Sequence, residues 1–213
     1  MKALFFDLDG TLVNSMGAHV KSWKQSLLSQ GLETTEKRLM ELGGVSFEDT
    51  ISIIAKENNK EISSEKKKSI HELKQELFQK YMGEIKPYDV YDDLKELKQK
   101  KIMLILVTST KRKFAIHHCS SFFPNIFDTI LSAEDFNYSK PNPEPYLKAW
   151  KISGFDKKEC FVIEDAPSGV TSGNAAGIKT LAVITSNTKE KLSHAHKVFE
   201  NHTLLFDYLK LQK

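Results

Sequence analysis

Two aspartates spaced two residues apart, Asp7 and Asp9, follow the short apolar run Ala3-Leu-Phe-Phe6 and precede Gly10-Thr11. The run reads as a buried strand, and the strand period of two puts both carboxylates on one side of the backbone. Gly10 then lets the chain turn away. Two carboxylates leaving a buried strand repel each other and are costly to desolvate, so a cation belongs beside them. Three more groups stand after later apolar runs: Thr108-Ser109-Thr110 after 102–107, Lys140-Pro141 in the loop after 129–131, and Glu164-Asp165 after 160–163. Each alone reads as a helix cap or a solvated loop. Delivered together to successive strand ends, they suit phosphoryl transfer through an aspartyl phosphate. Asp7, fixed at its strand end, is the expected nucleophile. Asp9 is the expected acid/base, protonating the leaving oxygen and then deprotonating water. Acids from the first and fourth strands suit Mg²⁺, which takes one or two carboxylates plus phosphate and water and offsets the repulsion between carboxylate and phosphate. The Thr108 hydroxyl and the Lys140 ammonium are expected to grip the non-bridging oxygens, with Lys140 also offsetting the acids.

These groups meet only if their strands share a sheet. From Pro87 onward helical patterns (about 90–100, 111–121, 143–153 and 168–176) alternate with apolar runs at 102–107, 129–131, 160–163 and 180–184. Continuous apolar strands separated by helices mean a parallel sheet covered on both faces. Right-handed crossovers put all strand C-termini on one edge, where such sheets bind ligands. Residues 15–82 read differently, as four helical segments ending near Gly31, Glu41, Asn58 and Tyr81, with no convincing strand. The expected fold class is α/β: a Rossmann-like parallel core, residues 1–14 and 87–213, with an inserted all-α block of four helices over 15–86.

The 213 residues are 40% hydrophobic and 28% charged, with a net charge of +3, enough for an ordinary core beneath a soluble surface. Lysines and acids alternate, so no basic face suggests nucleic acid. The run 102–107 is far too short to span a membrane, and Asp7 and Asp9 interrupt any signal-peptide core. Cys119 and Cys160 lack the spacing of a metal knuckle or redox pair. The expectation is a cytoplasmic monomer or weak homodimer whose partner is a small phosphorylated metabolite.

Asp7-Leu-Asp9-Gly10-Thr11 resembles motif I of the haloacid dehalogenase superfamily. Thr108 falls at the Ser/Thr of motif II, Lys140 in Ser139-Lys-Pro-Asn-Pro-Glu-Pro-Tyr146 at the lysine of motif III, and Glu164-Asp165-Ala-Pro-Ser-Gly169 at the acidic motif IV. The resemblance covers nearly the whole chain. It implies that Asp7, the Asp9 carbonyl and Asp165 ligate Mg²⁺, with Glu164 at or behind the metal. The dehalogenases lack the second aspartate, so Asp9 argues for phosphate esters. The helical block is similar to the C1 cap of the β-phosphoglucomutase and sugar-phosphatase branch, with hinges near 14–17 and 82–87. Ser109 stands in the hydroxyl cluster as a further substrate contact. In the cap, Lys74 and His19 align with substrate-side residues of the mutase group, and Gly43-Gly44-Val-Ser-Phe47 resembles the loop that reaches the active site. The mutase has an arginine at the Phe47 position for a second phosphate, and an aromatic ring cannot make that bidentate contact. Asn14 stands where many relatives have aspartate. Hexose-phosphate mutase is therefore the second reading, and a non-catalytic phospho-accepting module the third.

Overall fold

A computed structural model describes residues 1–42 and 45–212. Among these, the strands are β1 Ala3–Phe6, β2 Val13–Asn14, β3 Lys86–Pro87, β4 Met103–Val107, β5 Thr129–Leu131, β6 Cys160–Glu164, β7 Lys179–Val183 and β8 Lys197–Phe199. The helices are α1 Met16–Leu28, α2 Glu36–Glu41, α3 Phe47–Glu57, α4 Ser64–Tyr81, α5 Tyr91–Gln99, α6 Arg112–Phe122, α7 Glu144–Ser153, α8 Pro167–Ala175 and α9 His202–Lys210. No helix among the described residues is long and apolar enough to cross a membrane.

The chain divides into two compact units, Met1–Val13 with Pro87–Lys213, and Asn14–Lys86. In the first, six strands form one sheet in the order β5-β4-β1-β6-β7-β8, every neighbouring pair parallel. Chain order runs outward from β1 to β4 and β5, then restarts on its other side at β6. That reversal makes β1 and β6 the switch point, where the loops diverge and leave a crevice. Phe6 lies opposite both Leu106 and Ile163, so β1, β4 and β6 end level with one another.

Both faces of β1 are covered, which is why its four residues are all apolar and buried. Ala3 and Phe5 pack with Ile105, Val107, Tyr146, Ala149 and Val162. On the other face Phe6 stacks on Phe206 of α9, ring centroids 6.3 Å apart. Strand β8 and helix α9 extend the fold beyond the sequence expectation, whose last element ended at 184. Lys197-Val-Phe199 is too short to display a period, and only its pairing to β7 makes it a strand.

The second unit holds α1–α4 around its own core of Val20, Leu27, Leu32, Leu39, Ile51, Ile54 and Ile70. Thr35, Ser46 and Ser63 cap α2, α3 and α4, each side-chain oxygen accepting the N–H three residues on.

Candidate active site

The alternation along β1 and β6 decides where each acid goes. Asp7 continues the Phe5 face of β1 and Glu164 continues the Val162 face of β6, the side on which Tyr146 of α7 is buried. Asp165 falls on the opposite side. The three acids each bring a carboxylate oxygen within 4.8 Å of the others, and all three are buried.

Lys140 stands between two of them. Its ammonium donates to Asp7 Oδ1 at 2.7 Å, to Glu164 Oε1 at 2.7 Å and to the Val107 carbonyl at 3.0 Å, which uses all three N–H groups. Burial pulls the Lys140 ammonium down, but the Asp7 and Glu164 carboxylates overcome it and hold its pKa above the ordinary lysine value. The lysine thus bonds to both Asp7 and Glu164 and offsets their charge, the part expected of it beside a grip on phosphate.

Glu164 is held on both oxygens. Oε1 accepts from Lys140 and from the Tyr146 hydroxyl at 2.5 Å, and Oε2 from the main-chain N–H of Asp165 at 3.2 Å and of Ala166 at 3.4 Å. Burial, with Glu164 and Asp7 nearby, keeps the Tyr146 phenol well above its ordinary range, so it stays a donor. A Cβ on Gly169 would lie 1.8 Å from Glu164 Oε1, so only glycine lets the carboxylate pack there.

Asp165 is met by hydroxyls. Thr11 donates to Oδ1 at 3.3 Å, Ser186 donates to Oδ2, and the Thr185 hydroxyl lies 3.2 Å from Oδ2. Gly10 has φ +86, and a Cβ on it would lie 2.1 Å from Asp165 Oδ2. Glycine is therefore required there for both turn and contact. Asp9 is half-buried and accepts a hydrogen bond from Thr110.

One lysine does not balance this much negative charge. Burial, opposed by Lys140 and reinforced by Glu164, Asp165 and Asp9, raises the Asp7 carboxyl well above its ordinary range. Burial and Glu164 push Asp165 up to about 7 against its hydroxyl donors. Buried carboxylate oxygens gathered within 4.8 Å of one another, with one lysine among them, fit a hard divalent cation.

Thr108 is buried just past the end of β4 and accepts the Thr110 N–H at 3.0 Å; Ser109 is exposed. In the helical unit, Lys74 donates to His19 Nδ1 at 3.2 Å and lies over the Phe78 ring at 5.1 Å. Phe47 stacks on Trp23 at 4.8 Å and meets the edge of His71 at 4.3 Å. Gly44 lies outside the described residues. Sequence reasoning named Thr110 only as part of the hydroxyl cluster, and it missed the part of Tyr146 and the segment Thr185-Ser186. That segment leaves β7 just as Glu164-Asp165 leaves β6, and this position was its signal. Tyr146 gave none, since a tyrosine on an apolar helix face reads as core.

The profile of the haloacid dehalogenase-like hydrolases matches residues 4–183. A pyrophosphatase, PpaX, of Halalkalibacterium halodurans is 28% identical, covering 86% of this chain and 83% of its own. A phosphorylated carbohydrates phosphatase of Thermotoga maritima is 28% identical over 85% of this chain and 84% of its own. Among solved structures, a β-phosphoglucomutase of Clostridium difficile superposes with a TM-score of 0.82 at 25% identity, covering 99% of this chain and 96% of that one.

Proposed function

The chain belongs to the haloacid dehalogenase-like hydrolases, and from that premise we propose that it is a Mg²⁺-dependent phosphatase. Its substrate is a small phosphorylated metabolite, a sugar phosphate first among them, and its route is an aspartyl phosphate. The observation that carries the reading is the buried set Asp7, Glu164 and Asp165 with Lys140 bonded to two of its members.

Asp7, Asp165 and the Asp9 carbonyl are the proposed ligands, with Glu164 behind them, since both of its oxygens already have protein donors. The bound cation supplies the charge compensation that lets a carboxylate approach a phosphate dianion. An Asp7 oxygen attacks phosphorus, the P–O bond to the leaving group breaks, and Asp9 gives its proton to the departing oxygen. Asp9 then takes a proton from the water that attacks the aspartyl phosphate, and inorganic phosphate leaves with Asp7 restored. Lys140 holds Asp7 in a fixed rotamer, and Thr110 orients Asp9. Thr108 and Ser109 are the proposed hydroxyl contacts to phosphate. Substrate selection is assigned to His19, Phe47 and Lys74. The free thiols Cys119 and Cys160 suit the reducing cytoplasm in which we place the reaction.

The β-phosphoglucomutase likeness keeps a mutase as the second reading. Phe47 favours the phosphatase, because its ring is packed between Trp23 and His71 and has no cation to offer a second phosphate. The test is phosphate release from sugar phosphates, phosphoglycolate, pyrophosphate and an aryl phosphate, with and without Mg²⁺, beside Asp7→Asn. Metal-dependent release in the wild type, abolished in Asp7→Asn, is expected. Isomerisation of a hexose 1-phosphate without net release would establish the mutase instead.

A further inference from the structure

The segment that leaves β7, Thr185-Ser186-Asn187, has no part in the steps above, yet all three side chains bond to the two turns proposed to hold the cation. The Thr185 hydroxyl has one proton and two acceptors in reach, the Gly10 carbonyl at 2.7 Å and Asp165 Oδ2 at 3.2 Å. The shorter contact takes the proton. Tyr88 hydrogen-bonds Thr185 in turn. Ser186 gives its proton to Asp165 Oδ2. The Asn187 amide donates to the Asp165 carbonyl at 3.1 Å and to Ser186 Oγ at 3.3 Å. Asn187 is buried, and its Oδ1 has no protein donor, an acceptor suited to a water molecule.

We infer that Ser186 and Thr185 are positioning residues, Ser186 orienting the Asp165 carboxylate as a ligand and Thr185 holding the Gly10 turn beside it, and that together they set the affinity of this site for its divalent cation. The inference rests on the proposed role of Asp165. A carboxylate offers about four lone-pair directions. Thr11 and Ser186 occupy one on each oxygen, which fixes the plane of the group and leaves one on each for a cation. Neutral hydroxyls suit this task because they orient the carboxylate without cancelling its charge. A lysine or arginine in their place would compete with the metal. By donating to the Gly10 carbonyl, Thr185 ties the turn that carries the Asp9 carbonyl to the segment that holds Asp165.

Calorimetric titration with Mg²⁺ reads this without turnover, on wild type, Ser186→Ala, Ser186→Thr and Thr185→Val, with melting in EDTA followed alongside. Loss of an outer partner of a metal ligand weakens binding by about 10–100-fold. That rise in Kd is expected in Ser186→Ala, with recovery in Ser186→Thr and a smaller rise in Thr185→Val. The Mg²⁺ concentration for half-maximal phosphate release is expected to move by the same factor. An unchanged Kd in Ser186→Ala, whatever its melting temperature, would overturn the inference and leave the segment a purely structural tie. Should Ser186→Ala not fold, Ser186→Cys is read in the same way. Asp165→Asn separates the two layers: undiminished Mg²⁺ binding there would remove the ligand reading itself. Loss of binding there beside an unchanged Ser186→Ala would remove only the positioning role.

Discussion

Lys140 commits every proton it has to Asp7, Glu164 and a main-chain carbonyl, with its side chain only 7% exposed. A buried ion pair contributes little net stability when intact, because desolvation offsets the attraction, but removing one partner strands the other. Lys140→Met strands two carboxylates at once. It is expected to cost about 3–5 kcal/mol in urea denaturation and to abolish phosphate release. A variant as stable as wild type would mean that the acids take up protons freely on losing the lysine. Tyr146 gives the same lesson from the apolar side. Its ring belongs to the core beneath the sheet edge while its hydroxyl holds Glu164, so one residue joins packing to site geometry.

Helices α6 and α9 bring a buried histidine, His118, and a half-buried one, His202, close to the first turn of the site. Neither ring nitrogen of His118 has a hydrogen-bond partner among the described residues, and burial lowers its pKa, with His117 adding to this and Asp9 opposing it. His202 Nε2 donates to the Thr11 carbonyl at 2.8 Å, and burial lowers its pKa as well, against that bond. A lowered folded value means the unfolded chain binds more protons below its ordinary 6.5, so folding stability falls as pH drops through that value. Each histidine contributes at most about 1.4 kcal/mol per pH unit within its window. Without a cation, Asp165 works in the opposite direction, because its pKa is raised to about 7. The histidine part is therefore read as a difference. Urea midpoints at pH 7.5, 6.5 and 5.5 are expected to decline less steeply in His118→Phe than in wild type. Parallel pH curves would mean that His118 takes up protons alike in the folded and unfolded chain.

The molecule is two compact units with separate cores, the helical one inserted between Val13 and Pro87 of the other. Separate cores mean that unfolding need not be a single transition. Ile54 is fully buried in the helical core, and its truncation to alanine costs about 2–5 kcal/mol. Hydrogen exchange on Ile54→Ala is expected to show faster exchange across 14–86 and unchanged protection in β1, β4 and β6. Equal loss in the sheet would mean that the units unfold as one.

The two acid pairs, the hydroxyl cluster, the lysine and the alternation of apolar runs with helices were all legible in the chain. Strand period and crossover handedness are local rules, and together they send Asp7, Thr108 and Glu164 to one sheet edge. The inserted helical block was legible for the same reason, since four periodic segments with caps and breakers declare themselves. Long-range pairing decided the rest. Three residues at 197–199 became a strand only beside β7, and Thr110 met Asp9 across the neighbouring strand ends of β1 and β4. Lys140 turned onto the acids because three acceptors converge on it, and Ser186 reached Asp165 because β7 lies next to β6. A hydrogen bond between residues 21 positions apart has no periodic trace in sequence; it exists only where neighbouring strands bring their ends together.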